Sequence, residues 1–304
     1  MNDMNEYLLK HGIEYKTSEP LSKHSSFKIG GKADIAIFPK NENELALTLC
    51  ACASKGIKYT VIGNATNVLF SDKGYRGAII FTKRFVGVEI EETDDGAYFA
   101  ALCGTPLAHI ANLAAERGYS GFEFLHGIPA TLGGAVYMNA GAFGFEIADV
   151  LKSVRVYDVK NNTFNDLLPN ALELSYRHSK LMDNESMLCV SAKLFAKKGD
   201  VGEIRAKMED FKQRRLSSQP YTAASAGSYF KRPDGYFAAK LIDDCGLKGL
   251  RVGNAEVSKK HAGFIINIGG ASAADVLDLA SRVAQAVREK YGVSLESEVR
   301  YIEE

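Results

Sequence analysis

The sequence predicts an α+β protein built in about three parts, and three observations carry that prediction. Strand and helix signals alternate over roughly the first 80 residues, yet no long series of βα units follows. An uncharged, glycine-rich stretch at residues 127–145 interrupts the middle of the chain. An amphipathic helix and then a strand pattern close it.

Taken in order, residues 34–38 read as a strand closed by Pro39, and residues 41–54 as a helix. Asn41 is suited to its N-cap and Gly56 lies just past its end. Residues 58–62 are β-rich, Gly63-Asn64 makes a tight turn, and residues 67–70 and 77–82 complete a βαββ-like unit. Residues 86–90 and 97–102 flank an acidic hairpin turn. Residues 105–117 are helical, with Pro106 suited to the first turn. Further strands are expected at 154–158 and 187–193, and a charged helix at 201–215. A helix over 236–244 ends at Gly246, with Asp243 and Asp244 facing solvent. Ser272 and Asp275 have capping-box spacing, and Val276, Leu279, Val283 and Val287 then share one helical face. Gly292 stops this helix, and residues 295–302 alternate as a last strand.

The totals narrow the function classes. A length of 304 residues gives room for two or three domains, with an ordinary 46% hydrophobic and 24% charged content. A formal net charge of zero argues against a general nucleic-acid binder, though not against a local basic patch for a phosphorylated substrate. No apolar run approaches the ~20 residues of a membrane span. The first residues lack the basic-then-apolar order of a signal peptide, so a soluble, cytoplasmic protein is expected. Five scattered cysteines without a C-x-x-C pair predict reduced thiols, and six scattered histidines suggest no metal site.

Residues 127–145 hold five glycines (Gly127, Gly133, Gly134, Gly141, Gly144) and no charge. Such backbone can pass close to a ligand and present N–H groups, and Thr131 is placed to cap a short helix from Leu132. A pyrophosphate could be held there without Lys or Arg. Gly63, Asn64, Ala65, Thr66 and Asn67 form a second small polar loop, and Gly104 a third wall. None is a Rossmann fingerprint, since no G-x-G-x-x-G opens a βαβ unit. Composition alone stops at a phosphate-bearing cofactor.

Six ordered blocks then become specific: His24-Ser25-Ser26-Phe27-Lys28-Ile29-Gly30-Gly31-Lys32-Ala33-Asp34, the loop at Gly63, and Gly127-Ile128-Pro129 through Gly144. Tyr176-Arg177-His178-Ser179, Ala226-Gly227-Ser228-Tyr229-Phe230-Lys231-Arg232-Pro233 and Leu295-Glu296-Ser297-Glu298-Val299-Arg300 complete the set. Together they resemble the UDP-N-acetylenolpyruvoylglucosamine reductase family, of the type without an extra tyrosine-bearing loop. The resemblance implies an FAD-binding fold of the vanillyl-alcohol-oxidase/PCMH type in two α+β subdomains, residues 1–83 and 84–199. A C-terminal α+β substrate domain would follow at 200–304. It also implies that NADPH reduces a non-covalent FAD, which then passes hydride to an enolpyruvyl double bond, giving UDP-N-acetylmuramate for the cell wall. The chain is expected to work as a monomer, with no nucleic-acid or membrane partner.

By the same resemblance Arg177, Ser228 and Glu298 are catalytic: a guanidinium for the substrate carboxylate, a proton donor, and an assisting acid. Cofactor contacts are implied at Gly63, Asn64, Ala65, Thr66, Asn67, Gly104, Gly127, Ile128, Pro129, Thr131, Gly133, Gly134, Asn139 and Gly141. Substrate contacts are implied at Lys231, Arg232, Lys248 and His261, with Lys231 a candidate charged neighbour for Ser228. The family more commonly has Asn-Pro where this chain has Arg232-Pro233, and glycine where it has Ala130. Two other readings use the same glycine loops: an FAD oxidase of alcohols or hydroxy acids, and a non-enzymatic nucleotide-binding module.

Overall fold

The computed structural model describes residues 2–303, and its chain groups into two units. Unit 1 comprises the residues up to Thr17, Ile35–Asn64 and Gly77–Arg214; unit 2 comprises Ser18–Asp34, Ala65–Arg76 and the residues from Arg215 onward.

In unit 1, helix α1 (Asn2–Lys10) packs on α2 (Glu42–Ser54). Asn41 caps α2 as the sequence predicts, its side-chain oxygen accepting from Glu44 N at 2.9 Å. Met4, Leu8, Leu45 and Leu49 are buried with Ile35, Ile37 and Ile80 of a four-stranded sheet. That sheet orders Tyr15–Pro20, Lys32–Ile37, Tyr75–Phe81 and Tyr59–Ile62, the last two parallel. The chain passes from one unit to the other within the first three of these strands.

The larger sheet of unit 1 orders Thr163–Leu167, Leu151–Asp158, Met187–Lys198, Gly96–Leu102 and Val88–Glu92, all antiparallel, and Tyr119–Ser120 pairs beside Met187–Lys198. Helices α3 (Leu107–Glu116), α4 (Leu132–Tyr137), α5 (Ile147–Val150) and α6 (Val201–Ser218) contribute to its core. Phe99, Ala101, Val154, Val156 and Leu194 from the strands meet Leu107, Ile110, Leu132, Val136, Ile204 and Phe211 from these helices. Each large buried side chain contributes about 1.5–3 kcal/mol of transfer free energy.

Unit 2 rests on α7 (Ala238–Asp244), α8 (Ala273–Tyr291) and the antiparallel strands Arg251–Val252, Ala255–Val257 and Ile265–Asn267. The capping box holds: Asp275 N donates to Ser272 Oγ, and Ser272 N to Asp275 Oδ2, both at 3.0 Å. Asp72 adds its carboxylate to the same helix start, accepting from Ala273 N at 2.7 Å. Val276, Leu279, Val283 and Val287 are fully buried, and Gly292 ends α8 in the left-handed region at φ 70°.

Two expectations need correction. Pro106 is the N-cap of α3 and lies before its first turn, because its extended ψ of 134° brings the chain across to Thr131. The last strand shrinks to Arg300–Ile302, because its parallel partner Val68–Phe70 is only three residues long. Among the described residues no helix is long and apolar enough to cross a membrane.

Candidate active site

The glycine-rich stretch of unit 1 is held by backbone. Leu132 N donates to Thr105 O at 2.9 Å, Gly133 N to Cys103 O at 2.8 Å, and Leu107 N to Ala130 O at 3.0 Å. Asn64 reaches across from the other loop, donating to Pro129 O at 2.9 Å. Close approach requires glycine at several of these points. A methyl at Gly63 would overlap Thr131 Oγ1, one at Gly104 would overlap the Thr82 carbonyl, and one at Gly133 would stand 2.8 Å from Cys103 Cβ.

Two predicted details change here. Thr131 occupies the N-cap position of α4, but its hydroxyl makes no capping bond. It turns toward Gly63 and stays buried without a hydrogen-bond partner. The first two amides of α4 are spent on Thr105 and Cys103. What this loop offers an anion is its shape and the Thr131 hydroxyl more than those two N–H groups.

Asn139 is fully buried with a left-handed φ of 43°. Its amide donates to Glu146 Oε2 at 2.8 Å and Ser175 O at 3.0 Å, and its oxygen accepts from Ala148 N at 3.0 Å. The side chain is thereby occupied inside the protein; it fixes the backbone of the loop. Sequence reasoning overlooked its partner Glu146, the first charge after the uncharged run.

The same clasp holds the Arg177 turn. Ser175 and His178 exchange backbone hydrogen bonds at 3.1 Å, leaving Tyr176-Arg177 as a two-residue tip. Ser179 Oγ ties its base to Tyr137 O at 2.7 Å. Arg177 donates to Gly141 O at 3.2 Å, and its guanidinium lies 4.9 Å from the Tyr176 ring centroid. Its φ is 54°, a left-handed position that glycine favours and that costs another residue about 1–2 kcal/mol. Outliers of this kind gather at functional sites.

In unit 2, Ser228 and Glu298 flank one strand-like segment. Ser228 bridges Phe264, Tyr229 N donates to Gly263 O, and Glu298 N donates to Tyr229 O, the last two at 2.8 Å. Asn67 steadies the far side, donating to Glu298 O at 3.1 Å and accepting from Arg300 N at 3.1 Å. Ala65, with φ 51°, accepts from Ser26 N at 3.2 Å. The Gly63–Asn67 loop thus divides, Gly63 and Asn64 in unit 1, Ala65, Thr66 and Asn67 in unit 2.

The four substrate candidates also lie in unit 2. Lys231 Nζ is 3.5 Å from Glu296 Oε2, and Lys248 Nζ donates to Asp243 Oδ2 at 2.7 Å. Asp243 and Asp244 are exposed as expected, Asp244 being bridged to Lys240. His261 Nδ1 accepts from Gly263 N at 3.2 Å, and its ring stands edge-on to Phe264. Burial holds the His261 pKa below its usual value, and the charge of Lys248 adds to this.

Residues 33–165 match the family profile described as "FAD binding domain", and 219–302 the one described as "UDP-N-acetylenolpyruvoylglucosamine reductase, C-terminal domain". The chain is 45% identical over 300 residues to UDP-N-acetylenolpyruvoylglucosamine reductase of Caldicellulosiruptor bescii, covering 98% of this chain and 94% of that one. It is 44% identical over 292 residues to the reductase of Clostridioides difficile, covering 96% and 94%. The chain belongs to the UDP-N-acetylenolpyruvoylglucosamine reductase family. A crystal structure of the Thermus caldophilus reductase superposes with a TM-score of 0.78 at 34% identity, covering 96% of this chain and 99% of that one.

Membership in this reductase family, with its FAD-binding domain, makes the chain an FAD-dependent oxidoreductase of the predicted α+β fold class. Its residues fit the cofactor. Gly63, Gly104 and Gly133 keep their loops too close for side chains, and the buried Thr131 hydroxyl still lacks a partner.

Proposed function

We propose that the chain reduces the enolpyruvyl group of UDP-N-acetylglucosamine enolpyruvate to UDP-N-acetylmuramate, with NADPH as reductant. The step belongs to peptidoglycan precursor synthesis, and we assign it to a cytoplasmic monomer. In this reading residues 1–83 and 84–199 serve the cofactor, and 200–304 the substrate. The observation that carries the reading is Arg177, kept in a left-handed conformation at the tip of a turn clasped to the glycine-rich loop.

FAD held by the glycine-rich loops would supply hydride-transfer chemistry between NADPH and the β-carbon of the enolpyruvyl double bond. Hydride addition there leaves negative charge on the α-carbon and its carboxylate. Arg177 has the planar fork to grip this carboxylate with two parallel N–H donors. Ser228 gives its hydroxyl proton to the α-carbon. A serine is a weak acid and needs a cation nearby, a role within this reading for Lys231. Glu298 is the carboxyl group that assists the intermediate, from the segment just before Arg300–Ile302. Lys231, Arg232 and Lys248 carry positive charge for the diphosphate, and His261, held neutral by burial, hydrogen-bonds without adding charge.

The test is spectroscopic. Purified protein should be yellow, anaerobic NADPH should bleach the flavin band, and the enolpyruvyl sugar nucleotide should restore it. Colourless protein that takes up no FAD on reconstitution contradicts the proposal.

A further inference from the structure

Two large aromatic residues adjacent in the sequence are exposed on unit 2: Tyr236 is 47% exposed and Phe237 63% exposed. Single exposed aromatics need no explanation. This pair, however, is built in. Tyr236 N donates to Pro233 O at 3.0 Å, with Gly235 in the left-handed region at φ 74°, which fixes the loop. Phe237 is the N-cap residue of α7, and the buried face of that helix is already filled by Ala238, Leu241 and Ile242. Phe237 therefore has no core position to fall into. The Arg232 guanidinium lies 4.8 Å from its ring centroid.

The platform adjoins the substrate candidates. Two residues beyond Phe237, Ala239 Cβ lies 3.2 Å from where a Gly263 Cβ would be, and His261 Cε1 is 3.1 Å from the same point. Gly263 O in turn accepts from Tyr229 N, next to Ser228. A guanidinium over one face of the Phe237 ring leaves the other for a nucleobase, whose π-face stacks whatever the base, while Lys231 and Lys248 suit the diphosphate attached to it.

We propose that the Phe237 ring, backed on one face by the Arg232 guanidinium, stacks on the nucleobase of the sugar-nucleotide substrate, with the exposed Tyr236 next to it in the loop. This rests on the reading above, that the substrate is a uridine-diphosphate sugar. It gives a chain expected to lack the tyrosine-bearing loop an aromatic surface of its own for the nucleotide.

The chain contains no tryptophan, so Phe237→Trp introduces a single indole reporter at the platform. Titrating this holoenzyme with UDP should change its indole emission saturably, whereas inorganic pyrophosphate should compete with UDP and leave the emission as it was. Phe237→Ala should raise KM for the enolpyruvyl sugar nucleotide about tenfold, equivalent to about 1.4 kcal/mol. NADPH-driven flavin reduction should keep its KM, and Phe237→Tyr should restore the substrate KM. If UDP leaves the emission unaltered while the wild-type protein turns over the sugar nucleotide, the platform is wrong and the reductase reading survives. If UDP changes the emission and no turnover occurs, the nucleotide site stands and that reading falls. A rise in KM for NADPH in place of the sugar nucleotide overturns the assignment to the substrate base.

Discussion

The glycine-rich loop of unit 1 and the Ser228–Glu298 segments of unit 2 solve different problems with different materials. The loop has no charge over nineteen residues and is stitched by backbone hydrogen bonds to Cys103 and Thr105 and by the Asn64 side chain, which donates to Pro129 O within it. The segments of unit 2 carry charged side chains in exposed pairs, such as Lys231 with Glu296 and Lys248 with Asp243. A retained cofactor calls for a rigid cradle with little to titrate. A substrate that must arrive and leave calls for cations whose partners are easily exchanged. Substitutions in the first region should therefore move stability and flavin content together, and those in the second should move kinetics far more than stability.

The largest break should come at Gly104. Its missing Cβ faces the Thr82 carbonyl and lies 2.7 Å from Phe85 O, so backbone itself must move. Gly104→Ala should cost about 3 kcal/mol or more, with the thermal midpoint and flavin absorbance falling together. Next, Asn139→Ala leaves the Glu146 carboxylate and Ser175 O without a buried donor, a loss of about 2–3 kcal/mol in denaturant melts. It should also lower kcat/KM, because the Arg177 turn hangs on the same side chain.

Gly63→Ala sharpens the comparison. Its obstacle is the Thr131 hydroxyl, a side-chain atom, so flavin affinity should fall about tenfold, and Gly63→Ala with Thr131→Ala should recover part of it in an FAD titration. Lys231→Met breaks an exposed pair and should change stability by less than about 1 kcal/mol while raising the substrate KM.

The smallest effect is a pH dependence present in both regions. His126 and His261 each have a pKa lowered first by burial, then by a lysine, Lys212 and Lys248 respectively. Unfolding restores the ordinary value near 6.5, so below that pH the unfolded chain binds more protons and stability falls as pH drops. His126→Gln or His261→Gln should flatten the stability profile below pH ~6.5, read by thermal melts across that range.

How legible these regions were follows from where their partners lie. Local rules gave the Asn41 cap, the Ser272–Asp275 box and the Gly292 stop, since every group involved sits within a few positions. The bonds that shape the site run from Asn64 to Pro129, Asn139 to Ser175 and Asn67 to Glu298, across 65, 36 and 231 positions. No local pattern carries that information. Thr163–Leu167 carries little strand signal because a polar strand at the edge of a sheet shows little alternation. Tyr15–Pro20 was equally silent, with four polar residues before its proline. Thr131 is legible as a cap by position, and only the approach of Gly63 explains why its hydroxyl makes no capping bond.

The measurement that bears most directly on the division between cradle and chemistry is an anaerobic single-turnover comparison of Ser228→Ala with the wild type. The first phase is flavin reduction by NADPH, and the second is restoration of the flavin band by the enolpyruvyl sugar nucleotide. The account predicts a first phase within about twofold of wild type and a second phase slowed at least a thousandfold, about 4 kcal/mol of barrier. Equal slowing of both phases, or neither, would contradict it.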